Sequence, residues 1–337
     1  MIKKCEKISA DINPSPNPLP YDGAVKIAVL DTGVDAMNFT IRKAMKAGRI
    51  KDVKSFTPDN ETSDKHGHGT HVAGLVLKVA PDADIYIARV FTSNVEKSTA
   101  DLNQPQQVAQ VRAMQINMLF LARFPTLLWF GTNVKFPQAI NFAVNEWAVD
   151  IITMSFGFPK RVAEVDEAIV NAYSKKTVLF AAAANHGANK GIAYPASKLG
   201  VVFCINATDG KGDPANFNPP SQPNRDNFCT LGVDVDSAWT TLTTYEQPTR
   251  RMSGTSVATP IAAGLAALAM EFGRRNRAKI GPRELEILHS YDGIQTMFET
   301  THAPTKTYKY LSPWKLLSSD SAVEDVCGYI NIVLQKI

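Results

Sequence analysis

Cysteine is scarce in this chain of 337 residues, and its four cysteines form no CxxC pair. Closely spaced cysteine pairs are typical of structural zinc and redox sites, so the sequence indicates neither kind of site. Cys204 lies in the apolar segment Val201–Ile205, where a buried free thiol is the expected state. The spacing of the cysteines does not require a disulfide, although it does not exclude one.

A large excess of charge of one sign is also absent. The formal net charge is +4, and the basic residues are scattered except for the cluster Arg274–Lys279. That cluster follows an apolar helical segment, and cations there complement the partial negative charge of a helix C-terminus. We therefore expect no nucleic-acid partner.

The chain shows little that would place it in or across a membrane. The apolar segment 114–130 is interrupted by Arg123 and Pro125 and is too short to span a bilayer. Residues 1–7 carry charge, but no apolar segment follows them, so no signal peptide is predicted. We expect an intracellular protein with no membrane partner; a chain that has lost an upstream segment is the alternative.

Short apolar segments alternate with helical ones along the chain. Strands are predicted at Lys26–Leu30, Asp84–Val90, Ile151–Met154, Thr177–Ala183 and Val201–Ile205. Helices are predicted at Thr40–Lys46, His68–Leu77, Ala139–Ala148 and Val162–Tyr173. The strands are apolar along their length, as strands are when both faces of a parallel sheet are covered. The alternation predicts an α/β fold with a doubly wound, mostly parallel sheet flanked by helices.

Three segments of this pattern carry residues suited to nucleophilic catalysis. The first strand ends in Asp31-Thr32-Gly33, His68-Gly69-Thr70-His71 opens one helix, and Gly254-Thr255-Ser256 opens a second, strongly apolar one. Backbone N–H groups at a helix start favour negative charge, so a serine there is suited to attack a carbonyl and to hold the resulting oxyanion. Considered alone, Ser256 would be assigned as a helix N-cap, the commoner role of such a serine.

Together the three motifs resemble those of the subtilisin-like serine proteases, in which the acid, the base and the nucleophile occur in this chain order. The resemblance covers roughly residues 25–272. It implies that Ser256 is the nucleophile and that His68 is the general base. Asp31 would then fix the imidazole tautomer and stabilise the imidazolium.

Two further histidines lie close to His68 in the sequence. The family motif begins at the histidine that matches His68, so His71 is predicted to be a structural hydrogen-bonding residue and His66 a loop residue. Zinc binding is the alternative, because His68 and His71 are spaced i, i+3. No third ligand follows at a recognisable spacing, so we predict no metal at this cluster.

The resemblance also assigns the group that would stabilise the oxyanion. Asn185 follows the predicted strand Thr177–Ala183 and matches the asparagine of the family's oxyanion hole. Its side-chain N–H would donate to the developing oxyanion together with the backbone N–H of Ser256. An Asx turn at the end of the strand is the alternative role for Asn185.

The resemblance also places substrate-binding segments after two of the predicted strands. An extended peptide would pair with one of these segments by strand addition. The implied substrate-binding residues are Ser155, Phe156, Gly157, Ala183 and Ala193. No carboxylate lies in these segments, so we expect an apolar or aromatic residue, and not a basic one, before the scissile bond.

Two segments depart from the family pattern. Residues 77–81 lead directly into the next strand, without the calcium-binding loop that many secreted relatives insert there, so we expect no calcium at that position and no cofactor. Residues 111–135 interrupt what would otherwise be one amphipathic helix, formed by joining Gln107–Gln110 to Ala139–Val144. Our hypothesis is that this stretch is an insertion, and a translated intron is one version of that hypothesis.

The sequence therefore predicts a serine endopeptidase that hydrolyses a peptide or protein substrate through an acyl-enzyme. We expect an N-terminal extension (1–24), a catalytic domain (25–272) and a partly helical C-terminal extension of unknown role (273–337). One alternative is a non-catalytic interaction module of the same fold. Another is acyl transfer to an amine instead of water, as in peptide ligation or cyclisation, which the triad alone does not distinguish.

Overall fold

The computed structural model describes residues 2–3, 23–92, 135–242, 247–305, 307–312 and 321–337. The strands in these residues are β1 (Lys26–Asp31), β2 (Ile50–Ser55), β3 (Asp84–Arg89), β4 (Ile151–Met154), β5 (Val178–Ala182), β6 (Val202–Thr208), β7 (Phe228–Leu231), β8 (Val235–Ala238), β9 (Thr249–Met252), β10 (Ala303–Pro304) and β11 (Lys309–Tyr310). The helices are α1 (Phe39–Lys46), α2 (His68–Val79), α3 (Phe136–Asn145), α4 (Ala163–Ser174), α5 (Thr255–Arg275), α6 (Pro282–Leu288), α7 (Tyr291–Thr301) and α8 (Val323–Leu334).

One sheet in the described part of the chain has the strand order β10-β11-β7-β6-β5-β4-β1-β3-β2. All neighbouring pairs are parallel except β10 and β11. The strand order reverses around β1, because the chain builds β2 and β3 on one side of β1 and then β4 to β7 on the other. The hairpin of β8 and β9 forms a separate antiparallel pair.

Helices cover both faces of the sheet, so the predicted doubly wound α/β fold is confirmed. On one face, α2 and α5 lie at the centre of a large apolar core that also receives side chains from α1, α6, α7 and α8. On the other face, α3 and α4 pack over β4 and β5 in a second core. Because both faces are covered, the central strands are almost completely buried, which explains their continuous apolar sequences.

The edge strands of the sheet were not predicted from the sequence. The strand β2 reads Ile-Lys-Asp-Val-Lys-Ser, and only Ile50 is buried. An edge strand has one free side, and charged side chains along it oppose pairing with other chains. The same charges remove the apolar run by which the central strands are recognised.

Helix α5 is the element among the described residues that is long and apolar enough to cross a membrane, yet all of its apolar window is buried in the protein. This is the environment of a core helix. Residues after 272 also contribute to the central core, through Leu288, Met297 and Ile330 among others. The predicted insertion 111–135 lies outside the described residues except for Lys135.

Candidate active site

The carboxyl ends of β5, β4 and β1, which are neighbours in the sheet, carry several of the predicted site residues. Asp31 ends β1, Ser155 to Gly157 follow β4, and Ala183 to Asn185 follow β5. Parallel strands present their carboxyl ends at the same edge, and the reversal of strand order around β1 opens a crevice there. The topology therefore gathers these separate segments at one place.

Asp31 and His68 form a buried pair. The His68 Nδ1 lies 2.7 Å from the Asp31 Oδ1, and the exposed fraction of the two residues is only 2% and 3%. The Thr32 N–H donates to the same carboxylate oxygen over 2.8 Å. A proton on Nδ1 that is held by Asp31 makes Nε2 the basic nitrogen of the ring, which is the tautomer that a general base requires.

Gly33 and Gly69 allow the start of α2 to pack directly against the turn after β1. Gly33 has φ +98°, a conformation that favours glycine. A Cβ added to Gly69 would lie 2.2 Å from the Gly33 carbonyl oxygen, so only glycine fits there. The close approach of the two backbones brings His68 next to Asp31.

The structure adds Asp64, a residue that sequence reasoning missed. Its side chain is fully buried. Oδ1 accepts the Thr32 hydroxyl at 2.9 Å and the backbone N–H of His66 and Gly67 at 3.0 and 2.7 Å. Oδ2 accepts the backbone N–H and the hydroxyl of Thr70 at 2.8 and 2.7 Å.

Through these bonds, the Asp64 side chain joins the turn after β1 to the start of α2. An acidic residue shortly before a helix is the kind of signal that predicts N-terminal capping, and it would have pointed to Asp64. The bond to Thr32 has no such signal, because the two residues are far apart in sequence.

His71 lies on the same helix, fully buried. Burial, and then the charge of His68, lower the pKa of His71 to about 4. Its Nε2 lies 3.1 Å from the Val235 carbonyl oxygen and 3.0 Å from the Arg250 carbonyl oxygen. An Nε2–H that donates to these carbonyls joins α2 to the β8–β9 hairpin.

Ser256 lies in the first turn of α5 and is 7% exposed. The Thr255 N–H donates to the Asn185 Oδ1 over 2.7 Å, and the Ala184 N–H donates to the Thr255 hydroxyl over 3.2 Å. These two bonds tie the start of α5 to the end of β5. The first N–H groups of a helix have no acceptor within the helix, so the Ser256 N–H at this position suits an oxyanion donor.

The side chain of Asn185 is oriented by its bond to Thr255. Because Oδ1 is the acceptor in that bond, Nδ2 lies on the other side of the amide. A Cβ added to Gly254 would lie 3.0 Å from the Ser256 Oγ and 3.3 Å from the Asn185 Nδ2. The predicted nucleophile and the predicted oxyanion donor therefore adjoin one small volume, which a side chain at position 254 would fill.

The predicted substrate-binding residues lie on segments that follow β4 and β5. Phe156 is buried, with its ring centroid 4.7 Å from that of Phe91 and 4.9 Å from that of Phe136. The Ala193 N–H donates to the Ala183 carbonyl over 2.8 Å. This bond places residue 193 next to the end of β5.

A cavity and a buried cysteine in the described residues lie away from the predicted site residues. A cavity lined by Cys204, Arg225 and Tyr291 among others contains none of the predicted site residues. Burial raises the pKa of the Cys204 thiol to about 12, so this cysteine is not a thiolate at neutral pH. In the part of the chain that the structure describes, no three His, Cys, Asp or Glu side chains are grouped to hold a metal ion.

Several known proteases are similar to this chain in sequence. Subtilisin Savinase of Lederbergia lenta is 29% identical over 257 residues, which cover 73% of this chain and 76% of that protein. M-protease of Shouchella clausii is also 29% identical, over 73% of this chain and 54% of its own length. An intracellular serine protease of Paenibacillus polymyxa is 30% identical, over 72% of this chain and 66% of its length. The chain thus spans about half the length of several relatives that it matches.

Among solved structures, the prenylagaramide maturation protease PagA superposes with a TM-score of 0.63 at 20% identity, over 95% of this chain and 99% of that one. At this identity the likeness concerns the fold alone. The model of the subtilase family matches residues 22–307, which is most of the chain. The predicted resemblance is confirmed: the chain belongs to the subtilase family.

Proposed function

We propose that this chain is a serine endopeptidase that cleaves peptide bonds through an acyl-enzyme. The observation that carries the proposal is the buried Asp31–His68 pair on the same sheet edge as the segment that holds Ser256 and Asn185. Membership of the subtilase family and relatives named as proteases support it. A non-catalytic module would not need this arrangement.

In the proposed reaction, the His68 Nε2 removes the proton of the Ser256 hydroxyl as Oγ attacks the scissile carbonyl carbon. The Asn185 side-chain N–H and the Ser256 backbone N–H donate to the resulting oxyanion. His68 then gives its proton to the leaving amine, and the acyl group remains on Ser256. Water, activated by the same histidine, attacks the ester and releases the acid.

The substrate in this proposal is a peptide or protein segment bound in extended form along residues 155–157. The proposed chemistry uses only the chain's own side chains and backbone, so no cofactor enters it. Residues 80–83 join α2 to β3, which supports our expectation that the calcium-binding loop of secreted relatives is missing there. The intracellular location stays a prediction, supported by one relative that is named an intracellular protease.

The test is labelling with a fluorophosphonate, which reacts with an activated serine, followed by mass-spectrometric mapping of the modified residue. We expect the label on Ser256 and none on Ser256→Ala, with the fold of the variant checked by circular dichroism. Label that persists in Ser256→Ala would overturn the assignment. Digestion of a peptide in the presence of a free amine acceptor then distinguishes hydrolysis from acyl transfer.

A further inference from the structure

Trp239 is a buried residue whose indole lies on the turn just before α2. Its exposed fraction is 3%. A Cβ added to Gly67 would lie 2.5, 2.6 and 2.8 Å from three atoms of the six-membered ring of Trp239, so the ring is in contact with the Gly67 backbone. Gly67 directly precedes His68. The indole therefore covers the residue through which the chain enters the helix that carries the predicted base.

Gly67 depends on its neighbours for its position. It has φ +101° and no side chain with which to cap α2. Its N–H donates to the Asp64 Oδ1 over 2.7 Å, and the Trp239 indole packs against its Cα. Because glycine has a flexible backbone, loss of the indole would leave the hydrogen bond but remove the contact that opposes movement of the turn.

The two residues after Trp239 bind the segments that hold the predicted acid and base. The Thr240 hydroxyl donates to the Asp64 carbonyl oxygen over 2.7 Å, in the turn before α2. The Thr241 N–H and hydroxyl donate to the Asp35 Oδ2 over 2.7 and 2.8 Å, in the turn after β1. These bonds fix the segment that carries the indole against both turns.

The indole also contacts the hairpin that leads to the predicted nucleophile. Trp239 directly follows β8, and three residues separate the end of its partner β9 from Ser256. The Arg250 guanidinium, on β9, lies over the indole at 4.6 Å from the ring centroid, a cation–π contact. The His71 ring, on α2, packs edge to face at 6.4 Å between centroids and 74° between planes. The indole therefore lies between α2 and the strand that precedes Ser256.

We propose that Trp239 is a positioning residue that sets where His68 lies relative to Ser256. The proposal rests on the serine endopeptidase function proposed above. The bond to Asp31 fixes one nitrogen of the His68 ring, but the ring can pivot about that bond. The other nitrogen is therefore placed by the backbone that carries the ring, which the indole supports at Gly67. A displacement of about 1 Å at the reacting atoms can cost roughly 100-fold in rate.

The test compares Trp239→Ala with Trp147→Ala. Trp147 is also buried, at 6% exposed, but it belongs to the second core and lies shortly before β4, at the end of the sheet opposite the site. Labelling with a fluorophosphonate to completion counts the active sites, so that kcat refers to folded protein alone. For Trp239→Ala we expect kcat to fall by about 10- to 100-fold with KM nearly unchanged. The rate of labelling should fall with kcat, and Trp147→Ala should keep both.

A second pair of variants decides the question if Trp239→Ala does not fold. Trp239→Phe keeps an aromatic ring beside Gly67 but loses part of its contact area. Its kcat should be at least about threefold below that of Trp147→Phe, again with KM nearly unchanged. Where Trp239→Ala folds, Trp239→Phe should recover most of the kcat that the alanine variant loses.

Equal kcat for each active site in the matched Trp239 and Trp147 variants would overturn the proposal, because the indole would then only fill the core. A loss that appears in KM with kcat unchanged would also overturn it, since Trp239 would then act on substrate binding. In both cases the unmodified protein would still cleave peptides and take the label on Ser256, so the proposed function would survive. An unmodified protein without cleavage and without label on Ser256 would overturn the proposed function and this inference together.

Discussion

The two halves of the site are held by different kinds of contact. On the side of β1, the predicted base His68 is held by buried acidic side chains: Asp31 binds the ring, and Asp64 joins the two segments that carry the pair. On the side of β5, the start of α5 is held by backbone groups, two short side chains and the absence of a side chain at Gly254.

Because the two halves are held by different contacts, we expect them to respond differently to substitution. A buried carboxylate with several donors cannot be replaced without leaving those donors unpaired, which costs about 1–3 kcal/mol for each buried group. A half held by close backbone contact is instead sensitive to added volume and to backbone conformation. We therefore expect charge changes to have the greater effect on the β1 side, and steric or conformational changes on the β5 side.

The largest effect is expected from Asp31→Asn. An amide at position 31 favours the wrong tautomer of His68, so kcat should fall by about 10⁴-fold with little change in KM, a loss of the size known for this acid in serine proteases, subtilisin included. Steady-state kinetics with a chromogenic peptide measure it. Asp64→Asn is the comparison, and we expect its main effect on the free energy of unfolding. A loss in kcat from Asp64→Asn as large as that from Asp31→Asn would contradict this division of roles.

On the β5 side, Asn185→Ala should lower kcat by about 10²–10³-fold with KM nearly unchanged, because the donated hydrogen bond strengthens only in the transition state. This range is the one known for the oxyanion asparagine of subtilisin. Asn185→Asp is a sharper variant, since it keeps an acceptor for the Thr255 N–H but removes the donor. Near-normal kcat in Asn185→Asp would show that the side chain only holds the helix start.

The free energy of unfolding should depend on pH through His71. Its pKa is about 4 in the folded protein against about 6.5 in an unfolded chain. Between these values the unfolded state binds more protons, so stability decreases as the pH falls from about 6.5 to 4, by on the order of 3 kcal/mol. Urea denaturation of the parent and of His71→Gln, which does not titrate, isolates the contribution. Equal pH dependence in both proteins would argue against it.

The smallest effect concerns the backbone next to Asn185. Ala184 has φ +141°, in a region that costs a residue other than glycine roughly 1–3 kcal/mol. Ala184→Gly should therefore stabilise the protein by about 1 kcal/mol, after the loss that glycine causes through the unfolded chain. Its neighbour Ala183, at an ordinary φ, is the control, and Ala183→Gly should destabilise. Thermal unfolding of both variants measures the difference, and destabilisation by Ala184→Gly would show that the backbone is not strained.

The sequence predicted the central strands well because each is buried on both faces and so is apolar along its whole length. It missed β2, whose edge position leaves most of its side chains in water. The family resemblance implied that Asp31 and His68 act together, and the structure brings these residues, which are 37 positions apart, into contact. It gave no indication that Asp64 joins their two segments, because that role depends on a tertiary contact with Thr32.

The sequence also gave no indication of the backbone conformation of Ala184. Residues 181–184 are four identical alanines, and nothing in that run marks the last one as unusual. Its φ is set by two hydrogen-bonded neighbours: its own N–H reaches Thr255, while the preceding residue pairs with Ala193. Constraints imposed by distant segments on one backbone position leave no local signal in the sequence.

For the endopeptidase proposed above, the burial of α5 has a consequence for resistance to cleavage by other copies of the same protein. Residues Thr255–Gly273 are buried, so exposing this helix for cleavage requires the core to open almost completely, which happens only at the free energy of global unfolding. Self-digestion must therefore begin at exposed segments such as 188–191. A nick there would precede any damage to the helix that carries Ser256.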